Sequence, residues 1–388
     1  MMTPAERRRT GFTLVELLVV ITIIGVLVSL LVPVIWAAVA RANDARVGGE
    51  INILAQSLAS FQTKFGDFPP SRIILVEDGG YDVASAPAAL DAVPFYAGMS
   101  YQSPPPNLGG NPQVVTGAGD KTYAALATQS ISFMRKFFSK TQFTTGPAAS
   151  GIPGGFYDFN GNGVGDQNPI YLEGHECLAF FLGGIPTHTI VGSSYTLEGV
   201  GGFGGNPRNP FRPAFLPDGT LDPIGQNRTE PFFEFRAERL VDDDFDGIPG
   251  YIDPLGQGPA GRYFAYFSAY GGRGYDPNDV NYNAGAISEP NPVALPFSVS
   301  FPVVGGPNPR VTGSPLPNPY TSSLPVATGD KPATFHQPQS YQIISAGRDR
   351  LFGTGGQYTD SGTGDRLPGN ERRRERDNVT NISNGTLD

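Results

Sequence analysis

Asp242, Asp244 and Asp246 stand at alternate positions in Asp242-Asp243-Asp244-Phe245-Asp246-Gly247-Ile248-Pro249-Gly250-Tyr251-Ile252-Asp253. Hard cations need several oxygens converging from a short loop, and carboxylates at positions 1, 3 and 5 of a twelve-residue calcium loop supply them. Gly247 falls at the sharp turn, Ile248 can offer its carbonyl at position 7, and Asp253 closes the count at position 12. Gly250 occupies position 9, which leaves that place to water. The competing reading is an acidic hairpin turn on the surface. A second loop, Asp158-Phe159-Asn160-Gly161-Asn162-Gly163-Val164-Gly165-Asp166, repeats the pattern with Asp158, Asn160, Asn162 and Asp166 as donors. Pro169 stands at its twelfth position and has no ligating side chain, so closure needs Glu173 to fold back. Asn-Gly pairs also occur in simple turns.

Catalytic patterns have less support. His175, Cys177 and His188 lie close in sequence, with Glu176 beside the cysteine, and could be arranged as nucleophile and base. No third orienting group is readable, and no second histidine follows His175-Glu176 at zinc-protease spacing. A buried cysteine on a short helix is the simpler reading. The glycines from Gly199 to Gly205 are strung with Phe and do not join a strand to a helix, so they make a poor phosphate cradle. The expectation is a protein that is not an enzyme.

These residues need a scaffold, and its clearest element comes first. From Phe12 to Ala40 the chain is apolar or small except for Thr13, Glu16, Thr22 and Ser29. At 1.5 Å rise per residue, that run crosses a bilayer as a helix. Arg7, Arg8 and Arg9 precede it, which predicts a cytoplasmic tip and export of everything after Ala40. Glu16 is the anomaly: an ionisable group at the centre of such a span costs roughly 2.5–3.5 kcal/mol, so it needs a partner or a task. Pro33 removes one backbone bond and predicts a bend. A secretory signal peptide has a shorter apolar core and a small-residue cleavage site. A twin-arginine signal suits Arg8 and Arg9 but not Glu16, and a plain anchor leaves Glu16 without a role.

Beyond Arg41 the helix is predicted to continue with Ile51, Leu54, Leu58, Phe61 and Phe65 as one apolar stripe. Gly66-Asp67-Phe68-Pro69-Pro70 ends it. Asp120 can cap a helix over about 121–139, with Tyr123, Leu126, Ile131, Met134 and Phe138 on its apolar face. Glu173–Leu182 reads as a short buried helix. Phe232–Leu240, Arg262–Tyr270, Phe297–Val304 and Tyr341–Ala346 read as strands. The alternation in Tyr263-Phe264-Ala265-Tyr266-Phe267 suits a sheet with one face against the long helix. Residues 71–119 and 271–335, rich in Pro, Gly and Asn, read as loops and surface excursions. Glu371-Arg372-Arg373-Arg374-Glu375-Arg376 is mixed in sign and reads as a solvated face.

The run from Arg7-Arg8-Arg9-Thr10-Gly11-Phe12 through Glu16 into the apolar stretch resembles the class III leader of type IV pilins and type II secretion pseudopilins. The resemblance implies cleavage after Gly11 by a prepilin peptidase and methylation of the new N-terminus, Phe12. It implies that Glu16, fifth from Phe12, pairs with the N-terminal amine of a neighbouring subunit, and that Pro33 is the family's helix-bending proline. Gly66–Pro70 is similar to the aromatic-proline turn that follows the helix in pseudopilins. Tyr341-Gln342-Ile343-Ile344-Ser345-Ala346-Gly347-Arg348-Asp349, with the later Arg376-Asp377-Asn378, resembles the end of the major type II secretion pseudopilin. There a strand, a turn and a later acidic stretch enclose a calcium, which implies Ser345, Asp349 and Asp377 as ligands here. The long, arginine-rich segment 350–376 departs from that pattern. A class III leader also implies a prokaryote. Asn378-Val379-Thr380, Asn381-Ile382-Ser383 and Asn384-Gly385-Thr386 are therefore expected to be a polar tail rather than glycosylation sites.

Composition fits an exported, loop-rich, folded head: 51 Gly, 37 Pro and 11% aromatic residues in 388. Net charge is −9. Removing residues 1–11 takes away three Arg and one Glu, so it falls further and argues against nucleic acid or anionic lipid as a main partner. Cys177 is alone, so no intrachain disulfide can staple the head, and structural Ca2+ is the expected substitute. The expected fold is α+β and pilin-like, a long N-terminal helix on an antiparallel sheet with loop-rich insertions. Its expected parts are a leader (1–11), an assembly helix (12–40), its amphipathic continuation (41–68) and a calcium-binding head (69–388). The resemblance implies a subunit of a type II secretion pseudopilus or type IV pilus-like filament, with prepilin peptidase and an inner-membrane assembly platform as partners. Its implied location is the bacterial inner membrane in a single pass, with a periplasmic head that becomes extracellular in a pilus. The alternative is a membrane-anchored minor tip subunit or calcium-stabilised adhesin.

Overall fold

One helix, α1, runs from Leu14 to Phe65 in a computed structural model. The structure describes residues 14–81, 123–166, 169–191, 194–212, 227–242, 246–256, 262–269, 274–275, 319–322, 334–352, 355–359, 365–367, 372–383 and 385–388. Gly11, Phe12 and Asp244, and the run Phe297–Val304, lie outside them. Residues 14–39 of α1 are exposed throughout, whereas Val47, Ile51, Leu54, Ser57, Leu58 and Phe61 are buried in the head. The stripe read from the sequence is therefore the packed face, and Gly66 ends the helix by donating its N–H to Gln62 O at 2.7 Å.

The strands follow as β1 (Ile73–Leu75), β2 (Ile170–Leu172), β3 (Pro186–Val191), β4 (Ser194–Val200), β5 (Leu240–Val241), β6 (Gly250–Tyr251), β7 (Ala265–Ser268), β8 (Tyr320–Thr321), β9 (Tyr341–Ser345), β10 (Gly356–Gln357) and β11 (Val379–Thr380). Helices α2 (Tyr123–Phe137) and α3 (Gly174–Gly183) lie between them. The largest sheet is antiparallel in the order β11-β9-β7; β1-β2, β3-β4 and β5-β6 are antiparallel pairs, and β8-β10 is parallel. Both α1 and α3 pack on this assembly, α1 against β11 and α3 against β6 and β7.

Alternation along 263–267 divides the side chains between two cores. Phe264 and Tyr266, with Ile343 and Val379, join the cluster that holds α1, α2 and α3. Tyr263, Ala265 and Phe267, with Ile344, join a second cluster built from Tyr275, Tyr320, Phe352, Tyr358, Leu367 and Leu387. The sheet thus has one face toward the long helix, as the alternation indicates, and its other face is covered by the C-terminal segments.

Three expectations are corrected. Phe232–Leu240 is not a strand: it runs irregularly into a 3-10 turn, Ala237–Arg239, before β5. Residues 71–119 include β1, which pairs with β2 and whose Ile74 N–H donates to Ser130 Oγ of α2 at 2.9 Å. The C-terminal residues are no polar tail: Val379–Thr380 pair with β9, Asn378 is buried with Nδ2 donating to Tyr320 Oη at 3.1 Å, and Leu387 is fully buried.

Candidate functional site

The exposed half of α1 is the first functional element. Thr22 and Ser29 return their hydroxyls to the carbonyls of Leu18 and Val26, each at 2.8 Å, so neither presents a free donor to an apolar surrounding. Glu16 is then the one charged side chain between Leu14 and Ala40. It is exposed in the first turn, where a carboxylate complements the helix dipole. Pro33 lies inside the helix, which continues past it. The head grips the other half through charge as well as packing. Glu50 of α1 accepts two bonds from Arg239 Nη1, at 2.7 and 2.8 Å, and one from Tyr251 Oη at 2.8 Å. The Arg239 guanidinium lies 4.2 Å from the centre of the Tyr251 ring. Asp44 pairs with Arg348 Nε at 3.2 Å, and burial, with Asp377 nearby, raises its carboxyl against the pull of that arginine. Sequence reading missed Asp44, Glu50 and Arg239, because their partners lie far away in the chain.

The three acidic loci come out differently from their linear counts. In the first, Asp242 Oδ2 accepts Gly247 N–H at 3.0 Å and Asp246 Oδ1 accepts Ile248 N–H at 2.7 Å. Residues 240–241 pair antiparallel with 250–251, Leu240 opposite Tyr251 and Val241 opposite Gly250. Asp253 therefore lies beyond one end of the ladder and Asp242 beyond the other, about 10 Å or more apart at strand spacing. Asp253 is instead buried against the C-terminal sheet, where its Oδ2 accepts the Ser345 hydroxyl at 2.7 Å. Gly250 is required by packing: a Cβ there would lie 2.7 Å from the Tyr263 ring and against His175.

The second locus, 158–166, abuts the first. Asn160 Nδ2 donates to Asp246 O at 3.0 Å, and a Cβ on Gly247, at φ +90°, would come within 2.9 Å of Asn160 Cβ. Asn160 Nδ2 and Asn162 Nδ2 both donate to Asp166 Oδ2 at 3.0 Å. Glu77, just after β1, joins them by accepting Phe159 N–H at 3.0 Å and Asp166 N–H at 2.6 Å. Burial raises the Glu77 carboxyl to about 8 and that of Asp158 to about 7. In the third locus Asp349 and Asp377 do meet, through Asp349 N–H donating to Asp377 Oδ2 at 2.8 Å. Ser345 is turned to Asp253, and its Oγ also accepts Gly347 N–H at 3.2 Å.

Of the His175–Cys177–His188 grouping, His175 and Cys177 are packed into the head. Glu176 Oε2 accepts Glu173 N–H at 2.7 Å in a reciprocal capping box at the start of α3. Cys177 is buried with Sγ directed to Leu172 O at 3.8 Å, and the His175 ring packs 4.4 Å from that of Tyr263. Burial lowers the pKa of His188. Among Arg372–Glu375, a 3-10 turn, Glu375 is fully buried, so the expected solvated face holds only in part; Arg376 beyond it pairs with Asp365 and Asp388.

An apolar helix bare over its first half and packed into an α+β head over its second defines a pilin-like architecture. Residues 7–32 match the prokaryotic N-terminal methylation motif. Over 73 residues the chain is 36% identical to the type IV wide pilus major component PilA4 of Thermus thermophilus, a stretch that covers 19% of this chain and 56% of that protein. By this motif and this similarity, the N-terminal part of the chain is similar to that of type IV pilins. It matches that relative over about half of the relative's length, and most of the head lies outside the match. No solved structure matches the chain.

Proposed function

We propose that this protein is a structural subunit of a type IV pilus-like filament or a type II secretion pseudopilus, assembled through α1. The observation that supports this best is the division of α1: residues 14–39 are apolar and exposed, while 47–61 are locked in the head. An exposed apolar helix of that length needs lipid before assembly and neighbouring helices after it. In this reading prepilin peptidase cuts after Gly11, Phe12 is methylated, and an inner-membrane platform feeds the subunit into the polymer. Arg7, Arg8 and Arg9 hold the N-terminus cytoplasmic, and the head lies on the far side. Glu16 neutralises the Phe12 amine of the next subunit and so sets the axial register, a task for a carboxylate in an apolar surrounding. Glu16→Ala is expected to insert into the membrane normally but fail to enter filaments, read by fractionation and by immunogold electron microscopy of sheared filaments. Incorporation at the unmodified level would remove the role given to Glu16.

A second reading, a minor tip subunit or binding module, draws on the size of the head, which has two cores and lies largely outside the match to the pilus component. Filaments that persist with normal number and length in cells lacking the chain would favour it.

A further inference from the structure

Glu77, Asp158 and Asp166 set three carboxylates near one another from segments remote in sequence, close enough for the repulsion among them to raise the pKa of Glu77 and Asp158. Glu77 is fully buried, and its main-chain oxygen accepts Tyr157 N–H at 2.7 Å in addition to the two amides held by its carboxylate. Asp158 is also fully buried. Its Oδ2 accepts Gly163 N–H at 2.7 Å, while its Oδ1 has no hydrogen-bond partner among the described residues. Asp166, half-buried, leaves the cluster open on one side. Arg228 faces Asp158, and two of its nitrogens donate to the carbonyls of Gly202 and Arg212. A carboxylate oxygen stripped of water with nothing in exchange is unfavourable, and like charges beside it make it more so.

We propose that Glu77, Asp158 and Asp166 hold a divalent cation of the calcium type, with Asn160 and Asn162 turning their amide oxygens toward it, and that the ion fastens the 158–166 loop to the end of β1. The donors are all hard oxygens on a flexible loop, three charged and two neutral, which suits calcium better than the rigid octahedron magnesium requires. Glu77 takes the closing role that Pro169 cannot fill. Among the described residues no three acidic, histidine or cysteine side chains already converge on one point. Asn160 Nδ2 and Asn162 Nδ2 both sit on Asp166 Oδ2, and turning those amides to present oxygen there exchanges the Asn160 bond to Asp246 O and the main-chain amides that Asn160 Oδ1 and Asn162 Oδ1 accept for bonds to the ion. Cys177 being the lone cysteine, an ion is the cross-link left to this loop.

Calcium chloride titrated calorimetrically into the chelator-treated full chain in detergent micelles tests this, with thermal melts followed by circular dichroism. The unmodified chain is expected to bind calcium and melt at a higher temperature with it. Glu77→Gln and Asp166→Asn are expected to weaken that binding about tenfold or more and lose the calcium-dependent part of the melting shift. Asp166 lies at the open edge, so Asp166→Asn keeps the fold testable where a change at buried Glu77 does not. A purely structural role predicts the opposite pattern, with melting lowered equally with and without calcium and binding unchanged. That pattern, or no calcium response in the unmodified chain, overturns the proposal.

Discussion

At the scale of residues, the informative groups are carboxylates whose surroundings disagree with their charge. Glu77 is raised from 4.5 to about 8 and Asp158 from 3.8 to about 7, in each case chiefly by burial, with the other carboxylates of the cluster adding to it. Below pH about 3 both are protonated folded or unfolded and contribute no pH dependence. As pH rises from there, the unfolded chain releases protons that the folded chain keeps, so stability falls until the folded groups ionise near 7 and 8. In chelator, the melting temperature of the full chain is therefore expected to fall between pH 5 and 8, and Glu77→Gln is expected to flatten that slope. A slope of the same steepness in Glu77→Gln would mean that other groups set it. The 158–166 loop was legible from its alternating Asp and Asn. Glu77 was not: it sits in Leu75-Val76-Glu77-Asp78-Gly79, which reads as a strand running into a turn, and nothing in that stretch points to residue 158. The Asp242 loop shows the reverse. Its spacing fits a calcium loop, yet strand pairing opens the count, because the β5-β6 pair separates Asp242 from Asp253.

At the scale of elements, periodicity carried what was long and amphipathic. The lower half of α1 and α2 lie where their 3.6-residue patterns put them, α3 where its continuous apolar run did, and β7 and β9 where strand composition did. Short elements escaped: β1 and β2 have three residues each, too few to show alternation. The β3-β4 hairpin left a readable mark, a Gly192-Ser193 pair between runs rich in Thr, Ile, Val and Tyr, which is the pattern of a two-residue turn. How α1 holds the head is a packing question with a sharp test. Phe61 is fully buried, with ring centroids 5.1 Å from Phe137, 6.0 Å from Phe181 and 5.2 Å from Phe232, so it joins α1, α2, α3 and the irregular segment before β5. Phe61→Ala is expected to destabilise the head by about 3–5 kcal/mol, through lost burial and the cavity left behind. Ile53, on the same helix but 54% exposed, is expected to tolerate Ala with a change within about 0.5 kcal/mol. Urea unfolding followed by near-ultraviolet circular dichroism compares the two. Equal losses would mean that the face assigned to the core is not the one that holds it.

At the scale of the whole molecule, α1 serves two environments with one continuous helix. Arg239 on Glu50 and Arg348 on Asp44 anchor the head at the middle of the helix, just below the point where the exposed apolar half ends. The head cannot cover that half, so lipid or other subunits must. Trp36, the lone tryptophan, is 71% exposed on it and reports which of the two does. It lies twenty-two residues beyond Leu14, about 33 Å along the helix, close to the roughly 30 Å thickness of a bilayer core. In the proposed single-pass arrangement its indole lies at the far membrane interface, where its N–H can stay wet and its ring apolar. In vesicles, Trp36 emission is expected to be quenched more by phospholipids brominated near the headgroup than by those brominated deep in the acyl chain. Assembly replaces lipid with neighbouring helices, so filaments carrying residual brominated lipid are expected to lose that quenching while their emission stays shielded from aqueous acrylamide. Free quenching by acrylamide in vesicles would remove Trp36 from the membrane boundary. Lipid quenching that survives in the filament would mean that the helices do not pack against one another there, and the division of α1 into an assembling half and a head-bearing half would have to be redrawn.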